Sequence, residues 1–368
     1  MHDLRRVNSE SSRYSLQYQS DLDFQARLLD GVSRTFALTI PALPRALASV
    51  VANAYLLCRL ADTIEDDTLL ENAKKSRFHR RLVAVVRGES CPIEFARELA
   101  PQLSKDTLAA ERELVVNADR VIRVTATFSA EERAAITRCV SRMCSGMPRF
   151  QRNKSLDGLT DLEEMAAYCY VVAGVVGEML TELFCSHCPE LSHKRSELMR
   201  LSLSFGQGLQ MTNILKDIWE DRRAQTCWLP RSVFGDGDFD LSRLEQLYET
   251  PEYRMGLEHL IGIAHHHLRN ALEYTAQIPI RESGIRRFCV WAIGLAVLTL
   301  QKIWRNPHYV SGDRVKISRR SVRATVLVTS VAQVSDGALR LLFNIASTGL
   351  PLSRQESLAL SSRASGRR

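Results

Sequence analysis

Asp62-Thr63-Ile64-Glu65-Asp66 closes a run rich in Ala, Leu and Val, residues 45–67. The pattern returns 155 residues later as Asp217-Ile218-Trp219-Glu220-Asp221. Both copies stand at the C-terminal end of an apolar stretch with helical spacing. Residues i, i+3 and i+4 share one helical face, so Asp62, Glu65 and Asp66 are expected to project together, as are Asp217, Glu220 and Asp221. Three carboxylates on one face repel each other, and the helix dipole disfavours negative charge at that end. A solvated acidic helix end is the ordinary reading of one such motif. Two copies, each behind an apolar helix, ask for a cation. Carboxylate oxygens are hard ligands suited to Mg²⁺, which keeps several waters and bridges one or two carboxylates to a phosphate. Two such helices facing each other would cage a metal-held diphosphate at the rim of an apolar interior. Prenyl diphosphates are the substrate class that suits both halves.

Outward from the motifs, residues 161–184, 196–222, 258–276 and 285–303 also carry helical periodicity. They are apolar on more than one face, which places them centrally. Only 18 Gly and 11 Pro punctuate 368 residues, too few for a turn-rich all-β protein. With 45% hydrophobic and 25% charged residues, the chain is neither disordered nor collagen-like. The expectation is an all-α, single-domain helical bundle over 21–350. A polar, frayed segment at 1–20 and a disordered basic tail at 351–368 flank it.

Lys and Arg total 49 against 42 Asp and Glu, a net +7. The cations are scattered rather than arranged in a nucleic-acid stripe, so no nucleic-acid partner is expected. A mildly basic surface suits anionic ligands or an anionic membrane face. Nine cysteines, an odd number without regular spacing, fit a reducing compartment. Cys185-Ser186-His187-Cys188, with His193 nearby, has the look of half a zinc site, but no second Cys pair follows, and ordinary thiols are the expectation. Residues 1–20 lack the apolar centre of a secretory signal. The longest uninterrupted apolar stretch, near 290–300, is short of the ~20 residues a membrane span needs. A cytoplasmic protein is expected, with at most peripheral membrane contact.

Several segments together resemble the squalene/phytoene synthase family, and within it the squalene synthases of soluble bacterial type. Ser33-Arg34-Thr35-Phe36 resembles the N-terminal Ser-Arg-x-Phe element. Tyr55-Leu56-Leu57-Cys58-Arg59-Leu60-Ala61-Asp62-Thr63-Ile64-Glu65-Asp66 resembles the first aspartate motif, Tyr-x-x-x-Arg-x-x-Asp-x-x-Glu-Asp. Tyr168-Cys169-Tyr170-Val171-Val172-Ala173-Gly174-Val175-Val176-Gly177 resembles the family's Tyr-Cys-x-x-Val-Ala-Gly-x-Val-Gly signature. Gln210-Met211-Thr212-Asn213-Ile214-Leu215-Lys216 leads into the second motif as it does in the family. Phe288-Cys289 and Val315-Lys316-Ile317 are similar to elements of squalene synthases that phytoene synthases generally lack.

The resemblance implies an isoprenoid synthase fold around a central apolar cavity. It implies head-to-head condensation of two farnesyl diphosphates through presqualene diphosphate, then NADPH-dependent reduction to squalene, by a monomer in isoprenoid lipid biosynthesis. The alternative is a presqualene diphosphate, dehydrosqualene or phytoene synthase without the reductive step. A non-catalytic scaffold relative is expected to lose the acidic motifs, and here both are intact.

The roles follow. Asp62, Glu65, Asp66, Asp217 and Asp221 are candidate Mg²⁺ ligands, since a diphosphate leaves only if its developing charge is neutralised. Those aspartates and Tyr168 are the candidate catalytic residues. On periodicity alone Tyr168 is a packed core residue, and the resemblance makes it a proton-transfer group. Ser33, Phe36, Tyr55, Arg59, Gln210 and Asn213 are candidate substrate contacts. Arg59 lies three residues before Asp62 and pairs either with it or with phosphate oxygens. Phe36 and Tyr55 either pack in the core or turn ring faces to a carbocation. Arg34, Arg59, Lys216, Lys316 and Arg319 are candidate NADPH contacts. Two departures touch these roles. Arg222-Arg223 follows the second motif where the family has Gly-Arg, and Ser318 stands where an Arg is expected after Lys316-Ile317. Gly206-Gln207-Gly208 lacks the third Gly and the preceding strand of a dinucleotide fingerprint. In His265-His266-His267 adjacent residues point different ways.

Overall fold

The computed structural model describes the backbone of residues 2–235 and 239–352, and the side chains of 16–33, 35–235 and 239–352. Among them no strand occurs; one isolated bridge joins Leu159 and Pro230. The all-α expectation holds. The chain divides into two compact units, Met1–Pro148 and Arg149–Arg368.

The first unit runs α1 (His2–Val32), α2 (Arg34–Thr39), α3 (Arg45–Asp66), α4 (Asn72–Val86), α5 (Pro92–Leu99), α6 (Ala109–Val116), α7 (Ala118–Thr125) and most of α8 (Ala130–Arg152). The polar start of the chain, expected to fray, is helical from His2. On α3, Leu56, Leu57, Leu60, Ala61 and Ile64 are wholly buried. Each large apolar side chain so buried is worth about 1.5–3 kcal/mol. One buried polar side chain sets the register of α3. Asn53 donates to Gln25 Oε1 of α1 (3.0 Å) and the Val121 carbonyl of α7 (2.8 Å), and accepts from Thr125 (2.8 Å). Both ends of the Asn53 amide find partners, so it orients the helix without itself being left unpaired.

The second unit runs α9 (Leu162–Cys169), α10 (Val175–His187), α11 (Arg195–Lys216), α12 (Ile218–Arg223), α13 (Leu244–Leu247), α14 (Pro251–Gln277), α15 (Ser283–Arg305), α16 (Gly312–Val315), α17 (Arg319–Ala332) and α18 (Asp336–Ala346). Helix α11 lies along α14, with α10 and α15 beside it. Two segments read as single helices are interrupted. A π-helical turn, Tyr170–Gly174, separates α9 from α10. Asp217 separates α11 from α12. Close helix approach explains the glycines near the first break. A Cβ on Gly177 would fall 2.4 Å from the Ser202 carbonyl oxygen, and one on Gly206 would fall 2.5 Å from that of Ala173. Arg286, fully buried, donates to the carbonyls of Gln333 (2.7 Å), Thr275 (3.2 Å) and Ile278 (2.7 Å) and to Asp336 (2.6 Å). It thereby pins the α17–α18 hairpin to α14 and α15.

One expectation is corrected. Arg45–Asp66, Leu162–His187 and Ser283–Arg305 are long and apolar enough to cross a membrane by length and composition. The uninterrupted-run criterion missed them because scattered polar residues break each run. Between 50% and 67% of each apolar window is buried within the fold, so packing already accounts for much of that character.

Candidate active site

In the first unit, the acidic motif occupies the last turn of α3. Its three carboxylates lie at different depths: Asp62 is half-buried, Glu65 is buried and Asp66 is exposed. Arg59, one turn earlier, reaches Asp62 at 3.7 Å. Its closer partner is Glu111 on α6, to which Nε donates at 2.9 Å. The guanidinium is thus aimed by a residue outside the motif. Burial, against the pull of Arg59 and reinforced by Asp66 and Glu111, pushes the Asp62 carboxyl up to about 7. That carboxylate has too little positive charge around it when bare.

The backbone end of the motif is held from α4. Lys75, buried, donates to the Glu65 carbonyl, and the His79 imidazole meets the Ala61 carbonyl at 3.1 Å. These two carbonyls belong to the negative end of α3, where a lysine ammonium offsets the dipole. Burial holds His79 down at about 4, so it is neutral. Asp67, next in the acidic run, plays a different part. Its carboxylate accepts from the amides of Leu69 (2.9 Å), Leu70 (2.9 Å) and Ser104 (2.6 Å) and from Thr107 (3.1 Å), and it staples the loop after α3.

Ser33, Phe36 and Tyr55 gather beside α3. Ser33 caps α2 by accepting from the Phe36 amide at 3.0 Å. The Phe36 and Tyr55 rings lie 5.1 Å apart, and Tyr55 donates to the Val32 carbonyl at 3.2 Å. Arg34 begins α2, but its side chain lies outside the described residues.

In the second unit, the acidic motif straddles the break at Asp217 (φ −101°, ψ 14°), in the sparsely populated bridge region. The expected single helical face is therefore corrected. The cause lies in α11's last turn, where the Tyr309 hydroxyl donates to the Leu215 carbonyl. The Trp219 indole donates in turn to the Tyr309 carbonyl. Lys216 pairs with Asp217 at 2.9 Å and approaches Asn213 Oδ1 at 3.5 Å. Burial raises the Asp217 carboxyl above its ordinary value, against Lys216 and Lys316 and together with the charge of Glu220. Glu220 is engaged by α16, its two oxygens accepting from the Gly312 amide at 3.1 Å each. A Cβ on Gly312 would fall 3.0 Å from the Lys216 carbonyl oxygen and 3.3 Å from Asp217 Oδ1. The glycine lets the segment before Lys316 lie directly on the motif.

Lys316 is exposed and paired with Asp313 at 3.2 Å, and Arg319, exposed, begins α17. Of the two arginines after the motif, Arg222 is buried, donating to the Leu241 (2.7 Å) and Ser242 (2.9 Å) carbonyls. Only Arg223 is left at the surface, 3.3 Å from Glu220. Asp221, partly exposed, begins the turn that closes with Thr226 donating to its carbonyl at 2.9 Å.

Tyr168 stands at the end of α9, immediately before the π-turn, a feature frequent at functional sites. Its ring stacks on Trp228 (centroids 3.9 Å apart, 9° between planes) and meets the edge of Phe150 at 5.3 Å. Nearby, Leu162, Met165, Ala166, Cys169, Gln207, Met211 and His267 line a small apolar pocket. Gln207 Oε1 is buried there without a partner. His267, held neutral by burial at about 3, shares a hydrogen bond with Ser204 at 3.2 Å. Gln210, half-buried, and Asn213, exposed, lie further along α11. Sequence reading missed Glu111, Lys75, His79, Trp228 and Tyr309. Each is a lone residue whose meaning comes from a partner far along the chain.

Among the described residues, no three carboxylate, imidazole or thiol groups converge to hold a metal ion by themselves. The donors at each motif are hard oxygens, and burial raises the carboxyls of Asp62 and Asp217. That suits Mg²⁺, which takes one or two carboxylates and completes its shell with water and phosphate.

Residues 29–321 match the family model for squalene/phytoene synthase, and the chain belongs to that family. Squalene synthase ERG9 of Gibberella zeae is 29% identical over 299 residues, covering 80% of this chain and 61% of that protein. The squalene synthase of Schizosaccharomyces pombe is 30% identical over 312 residues, covering 83% of this chain and 64% of that protein. This chain thus spans less than two thirds of the length of either relative. The solved complex of TcSQS with the ligand BPH1237 aligns at TM-score 0.72 and 22% identity, over 94% of this chain and 96% of that one. The fold is the all-α isoprenoid synthase fold.

Proposed function

We propose that this protein is a squalene synthase: a prenyltransferase that joins two farnesyl diphosphates through presqualene diphosphate and reduces the product with NADPH. The observation that carries the reading is the Asp62 carboxyl, raised to about 7 beside an arginine aimed by Glu111. A half-buried, under-neutralised carboxylate next to a guanidinium aimed by Glu111 is built to receive a cation and an anion together. Asp62 and Asp66 would hold Mg²⁺ at one motif, and Asp217 and Asp221 at the other, with Glu65 shaping the field from below. When bound, the metal supplies Lewis-acid neutralisation of the departing diphosphate. Arg59 orients phosphate oxygens by paired hydrogen bonds. Phe36 and Tyr55 present ring faces suited to developing positive charge. Tyr168 moves the proton, its ring fixed between Trp228 and Phe150. Gln210 and Asn213 contact substrate from α11.

The reductive step is supported by the Gly312–Lys316 segment lying on the second motif. It gathers Lys216, Arg223 and Lys316 near Asp217 and Glu220 for a phosphate-bearing cofactor, with Arg34 and Arg319 as further contacts. One observation favours a relative that stops before reduction. Ser318 caps α17, accepting from the Ser321 amide at 3.1 Å, where squalene synthases are expected to carry a cation. The deciding experiment incubates purified protein with farnesyl diphosphate and Mg²⁺, with and without NADPH, and identifies lipids by mass. Squalene formed only with NADPH supports the proposal. Presqualene diphosphate or dehydrosqualene in both arms selects the second reading.

A further inference from the structure

The outward face of the α17–α18 hairpin is apolar and bare. Leu327, Val331, Val334, Leu341 and Ile345 are each at least 58% exposed. On α17 the exposed positions 320, 323, 324, 327, 328 and 331 follow the spacing of a single helical face. That stripe begins with Arg320 and Arg323 and continues as Ala324, Leu327, Val328 and Val331. The inward face is anchored by Arg286 and by buried Ala332, Leu339 and Phe343. The bare side is therefore not the result of a loosely attached hairpin. A contiguous exposed apolar patch of this kind marks an interaction surface.

Charge identifies the partner. The hairpin, residues 319–346, carries four Arg against one acid, Asp336, which pairs with Arg286. Helix α17 contains no acidic residue, and Arg319, Arg320 and Arg323 form no ion pair among the described residues. The partner is anionic and also accepts aliphatic side chains. Helix α17 has no aromatic ring on which a base would stack. A second copy of the hairpin would set arginine against arginine. An anionic bilayer meets both requirements, taking basic residues at its headgroups and apolar ones at the acyl boundary.

We propose that the α17–α18 hairpin seats on an anionic lipid bilayer, with Arg320 and Arg323 at the headgroup phosphates and Leu327, Val331 and Leu341 dipping beneath them. The proposal stands on the hairpin alone, and its test needs no substrate. The full chain is sedimented with phosphatidylcholine vesicles with and without phosphatidylglycerol, at low and raised salt. Binding is expected to require phosphatidylglycerol and to weaken with salt. Arg320→Gln with Arg323→Gln should weaken partition about 25-fold. Leu327→Ser with Val331→Ser should weaken it by at least about tenfold. Circular dichroism of these surface variants should match the parent. Absence of binding to phosphatidylglycerol vesicles by the parent overturns the proposal, as does equal binding by both double variants. Two further results overturn it in favour of another occupant: self-association lost in the leucine–valine variant with vesicle binding unchanged, or binding of an RNA oligomer lost in the arginine variant with vesicle binding unchanged.

Discussion

The two acidic motifs share a five-residue pattern but stand on different backbones. The first ends an unbroken helix, and its surroundings do the adjusting: Glu111 aims Arg59 from α6, while Lys75 and His79 hold the Glu65 and Ala61 carbonyls from α4. The second lies on a helix broken at Asp217, with Tyr309 taking the Leu215 carbonyl and α16 engaging Glu220. The cations differ as well. Asp62 has an arginine at 3.7 Å, whereas Asp217 has a lysine at 2.9 Å from the residue just before it. Identical carboxylates are thus presented by an unbroken helix end in one unit and across a break between two helices in the other. A fixed fork suits bidentate phosphate recognition, and a mobile ammonium suits a point charge.

The harshest way to break this comparison is to remove one carboxylate from each motif. Asp62→Asn and Asp217→Asn should each lower kcat/KM for farnesyl diphosphate by about a thousandfold, with circular dichroism unchanged. If one variant turns over normally at saturating Mg²⁺, that motif is not a metal site. Tyr168→Phe keeps the stack on Trp228 and should lower kcat by about a hundredfold or more. Its melting temperature should stay near the parent's, whereas a purely packing role would leave kcat intact.

The supports can then be told apart. Lys75→Met removes a buried charged donor and should cost about 2–3 kcal/mol, and Tyr309→Phe about 1 kcal/mol. Thermal melts with and without Mg²⁺ and inorganic pyrophosphate read both the loss and its effect on ligand binding.

The smallest effect sharpens the electrostatics. In metal-free protein the Asp62 carboxyl titrates near 7, against 3.8 when unperturbed. The native state then holds that proton more tightly than the unfolded one. Stability from this group falls as pH rises from about 4 to about 7. Asp62→Asn should remove that slope and stabilise the chelated protein by about 1 kcal/mol at pH 8, the shift being discounted for solvent screening. His79 works in the opposite sense, costing stability as pH falls from 6.5 towards 4. Subtracting the pH-dependent melts of the Asp62 variant from those of the parent isolates the first slope from the second.

Helical periodicity marked α3, α14 and α15 well, because their apolar faces are wide and their interiors lack breakers. It overran at 196–222 and 161–184. Neither Asp217 nor Tyr170 is a helix breaker, and the interruptions come from a hydroxyl 94 residues away and from a π-turn beside a tight helix crossing. The acidic residues were legible as a repeated pattern, yet their depths were not. Glu65 is buried and Asp66 exposed because α3 is packed on several sides. Arg222 and Arg223 look interchangeable in sequence, but only their neighbours show that Arg222 serves the loop at Leu241 and Ser242.

The order of residues along this chain by itself determined the helical class, the two acidic motifs and the family signatures, because spacing on a helix is a local property. The tertiary structure alone decided which carboxylate is desolvated, which cation it faces, where a helix breaks and which arginine stays at the surface. Each of these depends on a partner distant in sequence, and desolvation and hydrogen bonding act through space rather than along the chain.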